Sequence, residues 1–181
     1  MVVCADVRDV RNIRGFTLIE LLIVVAVIAI LAAIAIPGLL RARMSGNEAS
    51  AVGSMRTILS GEATYSSSCG GGGYAVDLAD LGAAPLAGGP AFIPADLAAA
   101  GPGGTPKSGY EFTITPVAGQ IMITGAQTCN GAANDTETEF FAIGDPIALT
   151  TGSRFFGTDH SGQIRQGTAQ IMDITDGIPL Q

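Results

Sequence analysis

The chain has 181 residues, of which 48% are apolar and only 14% charged, with 25 glycines, one histidine and no tryptophan. That length suits one modest domain with an appended segment and argues against a second full domain. Sixteen acidic side chains against nine basic ones give a formal net charge of −7, which repels phosphate backbones, so general nucleic-acid binding through a basic patch is not expected.

Residues 1–15, MVVCADVRDVRNIRG, set Arg8, Arg11 and Arg14 against Asp6 and Asp9, a net of +1. Without them, 6 basic and 14 acidic side chains remain, a net of −8. From residue 16 to 40 the sequence FTLIELLIVVAVIAILAAIAIPGLL carries a single charge, Glu20. As a helix this run reaches about 37 Å, against roughly 30 Å for the hydrocarbon core of a bilayer, so a transmembrane helix fits. The alternative is a secretory signal peptide with a basic start and an alanine-rich cleavage site such as AAIA. The run is long for such a signal, and it contains a carboxylate. An ionised group inside a membrane costs roughly 2.5 to 3.5 kcal/mol on insertion scales, so Glu20 points to a function or a partner. If the chain is cut before Phe16, a local explanation also exists: Glu20 would lie about one turn from a new ammonium and from the positive end of the helix dipole.

The segment Arg14-Gly15-Phe16-Thr17-Leu18-Ile19-Glu20, followed by an aliphatic helix with Pro37 near its end, resembles the class III signal of type IV prepilins and the related pseudopilins of type II secretion. The resemblance covers residues 8–45. It implies that a prepilin peptidase cuts between Gly15 and Phe16 on the cytoplasmic face and N-methylates Phe16. It further implies that Glu20 pairs with the Phe16 ammonium of a neighbouring subunit as that subunit joins a filament, so that two groups costly in lipid neutralise each other. An inner-membrane assembly platform is the further partner implied. Pro37 lacks an N–H and forfeits the helical bond to the Ala33 carbonyl, so a kink or local melting is expected at Pro37 and Gly38.

Past the membrane segment, Val52, Met55 and Leu59, with Ala63 one turn on, keep helical spacing, while Arg43, Asn47, Glu48, Arg56 and Glu62 take other faces. One helix from about Phe16 to Ala63 would reach roughly 72 Å. A head with a radius of gyration near 13 Å cannot enclose it, so its front half is expected to project. Gly46, Gly53 and Gly61 each weaken that helix by roughly 1 kcal/mol relative to Ala, a cost that close packing in a filament could offset. Residues 66–109 form a Gly/Ala/Pro-rich connector in which the glycine run beside Cys69 is floppy by itself, and YAVDLADLG and PADLAAAG form short helical turns, the second with Pro94 near its start. The run lacks the strand before it and the Lys-Ser/Thr after it that a phosphate loop requires.

Strands follow. YEFTITP and GQIMITG flank Val117-Ala118 and read as a hairpin; TEFFAIG, SRFFGTD and GQIRQG supply further strands, the last two joined at His160-Ser161. The tail TAQIMDITDGIPLQ turns at Asp176-Gly177 and can wrap back over the sheet. Cys4 leaves with the leader, so Cys69 and Cys129 remain as an even pair for an oxidising compartment. A bridge between them would contribute on the order of 4 kcal/mol in the chain-entropy model and pin the connector to the sheet. Two cysteines and one histidine at no recognised spacing are poor zinc ligands, and no metal or cofactor is expected. NDTETE and DITDG could offer oxygens to calcium, but neither has the spacing of a complete calcium loop. Asp159-His160-Ser161 contains the residue types of a hydrolase triad, but triad members converge from separate elements, so a polar turn is expected.

The expected fold is α+β and pilin-like: a cleaved leader over residues 1–15, a long helix over 16–65 whose first half serves membrane and assembly, and a head over 66–181 with an antiparallel sheet of about four strands. The expected function is that of a non-enzymatic structural subunit, the major pilin of a type IV pilus, held in the inner membrane as precursor and polymerised with copies of itself into an extracellular filament. A type II secretion pseudopilin is the alternative within that class. An exported enzyme or binding domain with an ordinary signal peptide is the alternative outside it.

Overall fold

A computed structural model describes residues 15–117, 119–173 and 175–180. Residues 1–14 of the expected leader, including Cys4, Arg8, Arg11 and Arg14, lie outside the described residues, as do Ala118, Ile174 and Gln181. The chain divides into two compact units, Met1–Leu39 and Leu40–Gln181. A single helix, α1 (Leu18–Ser68), contributes to both. Of the kink or local melting expected at Pro37 and Gly38, melting is not seen: the segment is helical through both residues.

In the second unit, α1 is followed by α2 (Leu78–Gly82), α3 (Ala95–Ala98) and five strands: β1 (Tyr110–Pro116), β2 (Phe140–Pro146), β3 (Phe155–Asp159), β4 (Ile164–Gly167) and β5 (Ile178–Pro179). The strands pair in chain order, all antiparallel, as a meander. The fold is α+β and pilin-like, with one strand beyond the expected four because the tail, after its turn at Asp176 and Gly177, pairs Ile178 with Gln166 and Pro179 with Arg165. Gly177 has φ +77°, a left-handed conformation that favours glycine. The side chain of Asp77 accepts the N–H of Ala79 at the start of α2, and Pro94 precedes α3.

Met55, Ile58 and Tyr65 of α1 share one hydrophobic core with Leu81, Ile93, Tyr110, Phe112, Phe140 and Phe156. The buried side of the helix follows the row Glu48, Ala51, Met55, Ile58, Glu62, Tyr65 and, just past its end, Cys69, with Ser54 and Gly61 buried beside it. Positions in that row recur every three or four residues, the period of a helix stripe. The expected stripe is therefore displaced: Met55 is at its centre, Val52 and Leu59 are only half-buried, and Ala63 is exposed. Glu48 and Glu62, expected on other faces, are buried. Glu48 is compensated by hydrogen bonds, whereas Glu62 has one, from the Ala75 N–H. Glu48 Oε1 accepts the Ser153 N–H and hydroxyl, each at 2.9 Å, and its Oε2 accepts Arg154 Nε–H at 2.8 Å.

The expected hairpin between YEFTITP and GQIMITG does not form. Val117-Ala118 supplies neither glycine nor asparagine for a tight two-residue turn, and β1 pairs instead with β2, in register from Tyr110 opposite Pro146 to Pro116 opposite Phe140. Residues 120–123 exchange backbone bonds with residues 136–138, whose other side meets Tyr74. The glycine run is also a defined turn. Gly71, at φ +62°, closes α1, the Gly72 N–H bonds the Ser66 carbonyl, and a side chain on Gly70 would collide with the Tyr65 ring. Cys69 and Cys129 form a disulfide, with Cα atoms 4.7 Å apart. Gly61 packs against residues 92–93, whereas Gly46 and Gly53 face open space, so only Gly61 has a packing reason within the chain.

Burial pushes the Glu48 carboxyl up, but the Ser153 bonds and the Arg154 guanidinium outweigh it and hold the group below the usual carboxylate range. A depressed value means stability present above about pH 4.5 and lost as pH falls through the folded value. Glu48→Gln should cost about 1 to 3 kcal/mol near neutrality and cost less with acidification below pH 4.5, read as Tm by near-ultraviolet circular dichroism of the full chain in detergent.

Candidate functional site

The first described residues, Gly15, Phe16 and Thr17, are exposed and non-helical, and α1 begins at Leu18. Thr17 is the N-cap. Its carbonyl accepts the Leu21 N–H at 3.3 Å, and its hydroxyl oxygen accepts the Glu20 N–H at 3.2 Å. Glu20 Oε2 reciprocates, accepting the Thr17 N–H at 3.0 Å and its hydroxyl at 2.7 Å. This is a capping box, in which two N–H groups left over at a helix start are satisfied by side chains three residues apart. Its signature, Thr-x-x-Glu ahead of an apolar run, is present in the sequence, and it accounts locally for a carboxylate at this position without any new ammonium. Oε1 takes no hydrogen bond among the described residues.

Two further properties complete the segment. Among the described residues nothing lies within 4 Å of where a Gly15 side chain would begin, so packing among them does not require glycine there. From Phe16 to Leu40, sixteen large apolar side chains are exposed. The helix is long and apolar enough to cross a membrane. Such a surface, far larger than the isolated apolar patches of soluble monomers, calls for lipid or protein to cover it.

A family model for the prokaryotic N-terminal methylation motif matches residues 10–36. This is the class III signal of type IV pilins and pseudopilins. No curated protein and no solved structure gives a significant match to the chain. The motif implies processing by a prepilin peptidase and assembly at a membrane, and it points to a structural subunit. Within it, Gly15, Phe16 and Glu20 stand together at the capped start of α1, and Pro37 and Gly38 lie just beyond its end. Cys69 and Cys129 belong to the other unit.

The remaining candidates have local explanations. Asp159, His160 and Ser161 make the β3–β4 turn, where the Ser161 N–H and hydroxyl both bond the Asp159 carboxylate directly, without an intervening imidazole. In the acidic segments, Asp135 accepts the Gly125 N–H, Asp176 accepts the N–H groups of Met172 and Asp173, and Asp173 accepts that of Thr175. Among the described residues no group of three His, Cys, Asp or Glu is placed to hold a metal ion.

Removing the Thr17 hydroxyl tests the capping box. Thr17→Val should speed hydrogen exchange of the first-turn amides, residues 18–21, by about fivefold, while Thr17→Ser should leave it unchanged. Exchange measured on the full chain in detergent micelles distinguishes the two.

Proposed function

We propose that the chain is the major pilin of a type IV pilus, a non-catalytic subunit that polymerises through α1. The observation that carries this reading is the exposed apolar surface of residues 16–40, opened by a capped start that bears the methylation motif. A prepilin peptidase cuts between Gly15 and Phe16, where glycine leaves the backbone unobstructed, and methylates the new Phe16 amine. The precursor stays in the inner membrane, and an assembly platform moves it into an extracellular filament of identical subunits, where apolar side chains exchange lipid for one another.

Glu20 sets the register. Oε2 is committed to its own helix cap, and among the described residues no hydrogen bond engages Oε1. The Phe16 ammonium of an adjoining subunit can therefore meet this carboxylate without uncapping α1. Pairing removes two unbalanced charges from an apolar environment, and a misregistered subunit would leave both. Pro37 and Gly38 supply a helix segment short of one hydrogen bond, where α1 can adjust during packing.

Three measurements test the reading. Intact mass should correspond to residues 16–181 with one added methyl group; a cut further along, removing the apolar run, would instead indicate an exported enzyme or binding domain. Gly15→Leu should keep the leader attached and the protein in the inner membrane. Glu20→Gln should insert and mature but yield at least tenfold fewer surface filaments by electron microscopy, whereas abundant filaments made solely of that variant would overturn the intersubunit pair. Wild-type protein that is processed yet never forms surface filaments would place the chain with the secretion pseudopilins.

A further inference from the structure

Glu62 is fully buried, and the assembly surface makes no use of it. It sits on the last turns of α1, where its Oε2 accepts the Ala75 N–H at 2.9 Å, while Oε1 has no hydrogen-bond partner among the described residues. The bond joins the helix to the chain just beyond the glycine turn, only a few residues from the disulfide. The titratable groups around Glu62 come from several elements. Tyr65 lies on its own helix, and Asp80 faces it from α2, with a carboxylate that accepts the Ala133 N–H at 3.0 Å and Asn134 Nδ2–H at 2.9 Å. Tyr74 of the connector, Arg56 of the helix and His160 of the β3–β4 turn line an adjoining cavity of about 370 Å³ that Glu62 also borders.

A buried carboxylate beside a second acid is held best as the neutral acid. Its ionised form is drawn toward water and toward the Arg56 guanidinium that lines the cavity, away from Ala75. We propose that Glu62 is a proton-dependent latch, which as the neutral acid fastens residues 70–75 to α1 and on losing its proton to solvent swings into the cavity and frees them. Burial, opposed by the Ala75 bond and assisted by Asp80, pushes the Glu62 carboxyl up to about 8. The closed form therefore keeps its proton over a range in which an open, hydrated glutamate has lost it. Closure is strongest below the ordinary value of 4.5 and weakens as pH rises toward 8.

The test uses the full mature chain in detergent micelles, with amide exchange expressed as protection relative to the chemical rate at each pH. Between pH 6 and 9, protection at Ala75 and the preceding glycines should fall by about tenfold or more in the wild type and by less than twofold in Glu62→Gln, whose amide keeps the Ala75 bond without a titrating proton. Equal losses in the two proteins would overturn the latch. A second measurement does not depend on the variant folding. In wild-type protein carrying carboxyl-labelled glutamate, the Glu62 resonance should titrate above pH 7, and titration near 4.5 with the fold intact would equally overturn it. Both readings concern the unassembled chain and do not depend on whether it builds a pilus.

Discussion

The buried stripe of α1 is the constraint around which the second unit is arranged. Two of its buried positions, Glu48 and Glu62, are carboxylates, and a carboxylate in an interior must be given donors or it destabilises the fold. Glu48 finds them in Ser153 and Arg154, at the entrance to β3; Glu62 finds one in Ala75, just after the glycine turn. An apolar stripe would accept the sheet at many small offsets. A stripe with acids near its two ends accepts only the placement in which those donors arrive, which makes the pair of glutamates a source of register as well as a cost.

The amino-terminal half of the helix faces the opposite problem. Its side chains are almost uniformly apolar, so nothing in its own surface distinguishes one axial placement from another. The carboxylate of Glu20 is the exception, and the capping box fixes where one of its oxygens points. The same residue thus ends the helix cleanly and marks a position along it. That economy follows from the geometry of helix starts, where a side chain three residues in reaches back to the N-cap.

Much of this was legible beforehand. The unbroken apolar run, the residues around Gly15 and the pairing capacity of two remaining cysteines all reside in local sequence. So do β1 through β4, where aromatic and β-branched residues cluster, and the cores of those strands lie within the segments expected for them. The helix stripe was misplaced because periodicity counts apolar residues, and Glu48 and Glu62 are invisible to such a count. The segment IMIT reads as a strand by alternation, but its partner is the polar stretch around Glu137, chosen by the anchoring of Thr136 to the Gly70 carbonyl, a contact between residues far apart in sequence. The capping box is readable from Thr17 and Glu20 alone, since both members lie three residues apart ahead of an apolar run.

The disulfide lies immediately after the last turn of α1. A pull along the helix axis is therefore delivered through a sulfur–sulfur bond to Cys129 as well as through the backbone at Gly70. The intervening chain, with its two short helices, becomes a covalently bypassed loop that cannot be drawn out while the bond holds. Under tension the sheet would feel the force near the approach to β2, and the glycine turn, otherwise the first place to yield, would be shielded from much of it.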